Sequence, residues 1–162
     1  ETIFLALADK LKEYGMELLD STFLLKENLA HKGTLTARGP TLNELEDVEF
    51  GKGIAKEMGD IDVGQTVVVK GKAILAIEAM EGTDRTIARG GQIAKDGAVV
   101  VKMSKPAQDL RFDVPVVGPR TIQTMKKYRA SCLGVEAGKT LFVDKDICIT
   151  LANRAGICIV GA

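Results

Sequence analysis

The chain has 162 residues, 46% hydrophobic and 27% charged, which suits one folded domain and excludes disordered and collagen-like chains. Its 22 basic residues are balanced by 22 acidic ones, and aromatic residues make up only 4% with no tryptophan. A nucleic-acid binder needs excess positive charge against phosphates and aromatic rings for base stacking, so no nucleic-acid partner is expected.

The first residues predict a helix followed by a short strand. Apolar residues recur at helical spacing over residues 2–14, and Gly15 provides a helix end. The apolar run at residues 16–19 is predicted to be a strand. Because the chain opens on Glu1 inside a helical pattern, without an initiating methionine, this part is expected to be the back half of a βα unit and the chain a fragment.

Residues 21–40 are mixed in character and end in glycines and a proline, which predicts a connecting segment. Thr41 then begins a predicted helix that Gly59 closes. The Thr41 hydroxyl and the Glu44 carboxylate, three residues further on, form the pattern of a capping box.

From residue 66 onward, strand and helix patterns alternate. Residues 66–69 and 73–77, separated by a Lys-Gly-Lys turn, predict a tight hairpin. Beyond the hairpin we predict helices over 83–95, 119–129 and 145–155, the last of them capped by Asp144. Strands are predicted over 98–101, 132–135, 140–143 and 157–160, and a loop over 105–118. This order predicts an α/β fold with a mixed sheet flanked by helices, whose strand–helix junctions are the usual place for a site.

Two glycine-containing segments lack the pattern of a nucleotide-binding loop. In residues 134–140 (GVEAGKT) three residues separate the glycines where a P-loop has four, and a strand pattern follows instead of a helix. A β-turn is therefore predicted there. Gly51 and Gly53 lie inside a helix pattern without a third glycine, which excludes a dinucleotide fingerprint.

Histidine and cysteine usage limits the available chemistry. His31 is the single histidine and is predicted to be a solvated loop residue, so a His-rich metal site is excluded and a Ser–His–Asp triad is disfavoured. Cys132, Cys148 and Cys158 have no metal-ligand spacing and predict buried, reduced thiols in a cytoplasmic protein. No apolar run reaches the length of a membrane span, and the first residues lack the order of a signal peptide.

Acidic residues remain as candidates for chemistry, in two segments. Glu78 and Glu81 lie at a predicted strand end, just before Asp84 at a helix start. The alternatives to a functional site here are a solvated strand-end charge for Glu78 and a helix-capping role for Asp84.

The second acidic segment holds Asp109 and Asp113, four residues apart in the loop predicted over 105–118. The same stretch contains Lys105, Gln108, Arg111 and Arg120. Hydrolysis of a phosphoanhydride requires neutralised phosphate oxygens, a hard divalent ion and an aligned water. Carboxylates suit Mg²⁺, arginine makes bidentate phosphate contacts and lysine supplies a point charge, so these residue types suit that reaction.

Three segments, taken together and in order, carry a family resemblance: residues 62–84 (DVGQTVVVKGKAILAIEAMEGTD), 97–122 (GAVVVKMSKPAQDLRFDVPVVGPRTI) and 134–140 (GVEAGKT). They closely resemble the LpxI family, UDP-2,3-diacylglucosamine pyrophosphatases of lipid A biosynthesis in Gram-negative bacteria. By this resemblance, residues 41–162 are the family's C-terminal catalytic domain and residues 1–20 the end of its N-terminal Rossmann-like domain, with 21–40 as the connecting segment.

The resemblance implies Mg²⁺-dependent hydrolysis of UDP-2,3-diacylglucosamine to 2,3-diacylglucosamine 1-phosphate (lipid X) and UMP. The family relies on an essential aspartate, which the match places at Asp109, with Asp113 as the rival. The match also implies Asp109, Glu81 and Asp84 as metal ligands. The implied substrate-binding residues are Lys105, Arg111 and Arg120 at the phosphates, and Gln65, Thr83 and Gln108 at other polar groups.

In that family the diacylated substrate lies between two domains, so reduced or absent turnover is expected of this chain alone. A lipid-linked UDP-sugar as substrate implies peripheral contact with the inner membrane, and formation of a homo-oligomer stays open. Two other classes of protein are alternatives. One is a non-catalytic nucleotide or sugar-phosphate binding module that uses the same cations; the other is a structural α/β domain whose acids cap helices.

Overall fold

A computed structural model describes residues 2–105 and 108–162, so Pro106 and Ala107 of the predicted loop lie outside the described residues. The helices are α1 (Thr2–Glu13), α2 (Leu42–Asp60), α3 (Thr83–Ala94), α4 (Pro119–Lys127) and α5 (Lys145–Ala155). The strands are β1 (Gly33–Thr34), β2 (Thr66–Lys70), β3 (Ala73–Ile77), β4 (Ala98–Lys102), β5 (Val116–Val117), β6 (Ala130–Val135), β7 (Leu141–Phe142) and β8 (Cys158–Gly161). A single 3₁₀ turn covers Lys26–Asn28.

Six of these strands form one mixed sheet in the order β1-β8-β6-β4-β2-β3. Strands β4, β6 and β8 are parallel, whereas β2 is antiparallel to both of its neighbours, β3 and β4. Strand β3 therefore runs in the same direction as β4. The two remaining strands, β5 and β7, pair in parallel with each other. The predicted α/β fold with a mixed sheet flanked by helices is confirmed.

Helices cover both faces of the sheet because its central strands carry apolar side chains on both sides. Val67 and Val69 of β2 belong to the cluster that includes Val48 of α2. Val68, between them, belongs to the cluster on the other face, which includes Ile87 of α3 and apolar residues of α4 and α5. The sheet therefore lies between α2 and the layer formed by α3, α4 and α5.

Local sequence signals locate most helix ends correctly. The predicted capping box is confirmed: Glu44 N donates to Thr41 Oγ1 at 3.2 Å, and Thr41 N donates to Glu44 Oε2 at 2.8 Å. Helix α2 ends at Asp60, one residue beyond the predicted closing glycine. Asp144 occupies the N-cap of α5, but it is left-handed, with φ of 50°, and its side chain makes no capping hydrogen bond. The predicted capping by its side chain is therefore wrong.

The glycine segments have the predicted structures. Residues 134–140 form the end of β6 and a turn in which Gly138 has a φ of +76°, and they lead into β7 instead of a helix. Gly51 and Gly53 lie within α2. Both results confirm that these segments are not nucleotide-binding loops.

The strand predicted at residues 16–19 is wrong, because no strand in the described part of the chain lies beside it to pair with. The segment that follows runs along the 109–113 loop instead: Ser21 N donates to Leu110 O at 3.1 Å and Ser21 Oγ to Arg111 O at 2.8 Å. The predicted connecting segment 21–40 includes β1, which pairs with β8 at the sheet edge. The domain boundary at residue 41 stays a prediction.

The segments that carry the acidic residues lie together at the carboxyl edge of the sheet, where the parallel strands β4, β6 and β8 end. Strands β3 and β4 both end there, and Thr66, at the start of antiparallel β2, pairs in register with Lys102 at the end of β4. Helices α3 and α4 begin at this edge, after Gly82 and Gly118. The carboxyl ends of strands are where open α/β sheets bind their ligands, and this edge is therefore the place to look for a site.

Candidate functional site

A buried lysine and a buried glutamate lie at the centre of this edge. Lys102 is 4% exposed and Glu78 is 8% exposed. Lys102 Nζ donates to Thr83 Oγ1 at 2.9 Å and to Thr66 Oγ1 at 3.3 Å. Thr83 Oγ1 donates to Glu78 Oε1 at 2.8 Å, and Lys102 Nζ lies 3.9 Å from Glu78 Oε2. Thr66, Glu78, Thr83 and Lys102 therefore form one buried polar network.

Glu78 is not a solvated charge at a strand end, which was the alternative to a functional role for this residue. It is buried, and its Oε2 atom has no hydrogen-bond partner among the described residues. Sequence reasoning also missed Lys102, because it follows a continuous apolar run and looks like the last residue of an ordinary strand. The signal that could have found it is topological: Thr66, Glu78 and Lys102 all lie at strand ends that meet at one edge.

A cavity of about 510 Å³ opens beside Thr83, between the first turns of α3 and α4. The N-cap residues of these helices, Gly82 and Gly118, make no side-chain capping hydrogen bond. The first N–H groups of a helix carry partial positive charge, so two helix N termini present that charge to the same cavity. Such termini are common binding places for phosphate groups.

Asp84 and Arg120 form an ion pair in this cavity. Arg120 Nε lies 2.7 Å from Asp84 Oδ2, and the Arg120 side chain is 87% exposed. Asp84 does not cap α3, since Gly82 holds that position. Arg85 also lines the cavity and has no ion-pair partner among the described residues, so it is an additional cation that sequence reasoning missed.

Glu81 lines the same cavity but is paired with a residue further along α3. Arg89 Nη2 donates to Glu81 Oε1 at 2.6 Å. This hydrogen bond holds the pKa of Glu81 below its usual value, so the carboxylate is ionised near neutral pH. Glu81 is therefore close to Asp84 and charged, as a metal ligand would have to be.

The 109–113 loop forms one tight turn, in which Asp113 N donates to Asp109 O at 3.1 Å. Asp109 is bound by Arg111, with Nη2 to Oδ2 at 2.7 Å and Nε to Oδ1 at 3.0 Å. That guanidinium lowers the pKa of Asp109. The Asp113 carboxylate has a different partner, since Gln108 Nε2 donates to its Oδ2 at 2.7 Å.

Lys102 connects the two acidic segments electrostatically. Burial lowers the pKa of Lys102, while the charges of Glu78, Asp113 and Asp84 act in the opposite direction. The charges of Asp84 of α3 and Asp113 of the loop therefore both act on this buried cation. Asp109 faces Arg111 instead.

The remaining sequence-predicted residues have varied surroundings. Lys105 Nζ is paired with the exposed Asp62, and Lys105 N donates to Gln108 Oε1 at 2.8 Å. Gln65 Oε1 is buried without a hydrogen-bond partner in the described part of the chain. The roles of Lys105, Gln108 and Gln65 in substrate binding stay predictions.

The described residues contain no group of three or more His, Cys, Asp or Glu side chains arranged to hold a metal ion. A site for Mg²⁺ does not require one, because this ion usually binds through one or two carboxylates and completes its shell with waters and substrate phosphates. Asp84 and Glu81, which both line the cavity, are a pair of carboxylates of that kind. These residues therefore fit Mg²⁺.

Histidine and the thiols lie outside this chemistry. His31 is exposed in its loop, as predicted. Cys132, Cys148 and Cys158 are buried and free, which confirms the prediction of reduced core thiols. Across residues 2–105 and 108–162, no helix is both long and apolar enough to cross a bilayer.

Together the fold and the site define an α/β domain with a cavity lined by charged residues at the carboxyl edge of its sheet. Residues 31–160 match the family described as "LpxI C-terminal domain". The chain is also 31% identical over 163 residues to the UDP-2,3-diacylglucosamine pyrophosphatase LpxI of Caulobacter vibrioides, an alignment that covers 94% of this chain and 58% of that protein. The chain therefore belongs to the LpxI family, as its motifs indicate, and spans a little over half the length of this relative.

Proposed function

We propose that the protein is a hydrolase that cleaves the pyrophosphate bond of UDP-2,3-diacylglucosamine, releasing UMP and 2,3-diacylglucosamine 1-phosphate with the assistance of Mg²⁺. Its family and the activity for which its relative is named support this substrate. The observation that carries the proposal is the cavity at the N termini of α3 and α4, whose lining combines carboxylates and arginines and includes Thr83, the partner of the buried Lys102. A diphosphate needs this combination of local positive charge and carboxylate groups.

The arginines of the site are expected to exchange partners when substrate enters. In the structure Arg120 is paired with Asp84 and Arg111 with Asp109, so each acid is neutralised by an adjacent guanidinium. Arginine prefers the bidentate geometry of a phosphate group, and the phosphates would draw both guanidinium groups away. That exchange frees the carboxylates of Asp84 and Asp109 at the moment when the substrate is bound.

In the hydrolysis itself, a water oxygen forms a bond to one phosphorus while the bond from that phosphorus to the bridging oxygen breaks. The Asp109 carboxylate accepts the proton of the attacking water, and the other phosphate leaves with the bridging oxygen. Asp84 and Glu81 are the residues that would hold Mg²⁺, with Asp113 nearby. When bound, this ion neutralises charge on the phosphate oxygens and lowers the pKa of a bound water.

Asp109→Asn tests this assignment. The variant keeps the size of the side chain but cannot accept the proton, so kcat for UMP release should fall by about 100-fold or more, with a smaller change in KM. UMP release would be measured with Mg²⁺, using this chain and, where the gene encodes a longer protein, that protein as well. Equal rates for the two would contradict the expectation that the chain alone has reduced turnover.

Asp113→Asn is the matched variant on the same turn, and we expect it to lose less activity than Asp109→Asn. A larger loss at Asp113 would transfer the proton-accepting role to that residue. If both variants bind UDP as the wild type does, and neither the wild-type chain nor the longer protein releases UMP, the proposed hydrolysis is wrong and the domain is a binding module. Peripheral contact with the inner membrane and formation of a homo-oligomer stay predictions.

A further inference from the structure

Lys102 is a buried cation with more contacts than a simple ion pair with Glu78 would require. Its ammonium group makes hydrogen bonds to two threonine hydroxyls and not to the nearest carboxylate oxygen, Glu78 Oε2, from which it is separated by 3.9 Å. Glu78 Oε2 has no other partner among the described residues. A lysine kept only to neutralise Glu78 would be expected to donate directly to this oxygen, since a buried carboxylate oxygen without a donor is costly.

Lys102 contacts residues of three other segments. Thr66 begins β2, Glu78 follows β3, and Thr83 begins α3. Lys102 lies at the end of the central strand β4, whose residues are all buried, and its backbone position is therefore fixed by the sheet.

The hydrogen-bond chain through Thr83 extends this arrangement to α3. Lys102 Nζ donates to Thr83 Oγ1, and Thr83 Oγ1 donates to Glu78 Oε1. Thr83 is the first residue of α3 and directly precedes Asp84. Lys102 therefore acts on Asp84 in two ways, through its charge and through the position of the first helical turn.

We propose that Lys102 is a positioning residue of the site, a tethered cation that acts through Thr83 and Glu78 to fix the first turn of α3, and with it the carboxylate of Asp84. The role rests on the proposed function, because its purpose is to align Asp84 with a diphosphate. It differs from a structural role, in which Lys102 would only compensate the buried charge of Glu78. The two roles predict different behaviour when both charges are removed.

The test uses Lys102→Met and the double variant Lys102→Met/Glu78→Gln. The single variant leaves Glu78 buried without its cation, so both its unfolding midpoint and its kcat should fall. The double variant removes that buried charge and keeps an oxygen that can accept from Thr83. Its unfolding midpoint should return close to that of the wild type, while kcat should stay about 100-fold lower, because the first turn of α3 and Asp84 are no longer held in position.

Lys70→Met is the matched control, since Lys70 ends β2 at the opposite edge and pairs with Asp96 at 2.9 Å. It should leave kcat unchanged. Recovery of both kcat and the midpoint in the double variant would show that Lys102 only compensates Glu78 and would overturn the positioning role, as would an unchanged kcat in Lys102→Met. If the wild type releases no UMP even in the longest form that its gene encodes, the proposed function is wrong, and the role of Lys102 with it.

Discussion

Glu44 is a buried carboxylate near the first turn of α2, at the edge of the sheet opposite the candidate site. It accepts hydrogen bonds from Arg38 Nη1 at 2.8 Å, from Arg38 Nη2 at 2.9 Å and from Thr41 N at 2.8 Å. Burial alone would raise the pKa of Glu44, but these hydrogen bonds outweigh it and lower the pKa to about 2. Arg38 also donates to Ser131 O, so the pair connects the helix to β6.

This shift predicts how the stability of the protein depends on pH. The pKa of Glu44 is lower in the folded state than its usual 4.5, so its stabilising contribution is complete above about pH 4.5 and is lost as the pH falls towards 2. Glu44→Gln should therefore lower the free energy of unfolding by about 2 kcal/mol at neutral pH, and by progressively less below pH 4.5.

Urea denaturation of the wild type and the variant at several pH values measures this difference. Glu46→Gln is the control, because Glu46 is exposed and pairs with Lys72 on the surface. That pair should contribute less than about 1 kcal/mol. A difference between Glu44→Gln and the wild type that stayed constant from neutral pH to acid would contradict the lowered pKa.

At the scale of elements, α2 packs closely on the sheet through Gly51. A Cβ atom at this position would lie 2.7 Å from Val101 Cγ2 and 2.9 Å from Val69 Cγ2, both in the buried core. Gly53, two residues further along the same helix, is exposed and has no atom within 4 Å of such a Cβ. The two glycines therefore have different reasons for being present.

Gly51→Ala and Gly53→Ala should change stability in opposite directions. Gly51→Ala forces α2 away from β2 and β4 and should destabilise the protein by roughly 1–3 kcal/mol. Gly53→Ala should stabilise it by roughly 0.5–1 kcal/mol, since alanine is the better helix former. Chemical denaturation of both variants measures the signs, and a stabilising Gly51→Ala would refute the close packing of α2 on the sheet.

Elements with local signals could be predicted from the sequence, and elements that depend on distant partners could not. The Thr41–Glu44 capping box and the hairpin at residues 66–77 involve neighbouring residues, and both are confirmed. Strand β1 forms only because it can pair with β8, which lies more than a hundred residues away in the sequence. The apolar run at 16–19 has no such partner in the described structure and forms no strand.

The same distinction between local signals and distant partners applies to the candidate site. Residue types and spacing indicate phosphate chemistry for the segments around Asp84 and Asp113, and the charges of both act on one buried cation. That cation, Lys102, could not be found from spacing, because its burial depends on segments that are distant in the sequence. The burial of Glu78 could not be predicted for the same reason, since a glutamate at a strand end is usually solvated.

At the scale of the whole molecule, a net charge of zero coexists with a site that is locally rich in charge. Little long-range steering of an anionic substrate is expected from such a molecule, so recognition depends on contacts inside the cavity. If the proposed function is correct, the N termini of α3 and α4, together with Arg85 and Arg120, supply these contacts. Binding of a diphosphate should therefore stabilise the entire folded domain and not only the loops around the site.

UDP with Mg²⁺ should raise the melting temperature of the protein, because both would bind the folded state. At about 100 times the dissociation constant the stabilisation is about 2.7 kcal/mol, which corresponds to roughly 5–10 °C for a domain of this size. Differential scanning fluorimetry with UDP, with and without EDTA, measures the shift. Asp84→Asn should reduce it, whereas Asp146→Asn, in the first turn of α5, should not. A melting temperature that neither UDP nor EDTA changes would favour the structural domain without a ligand.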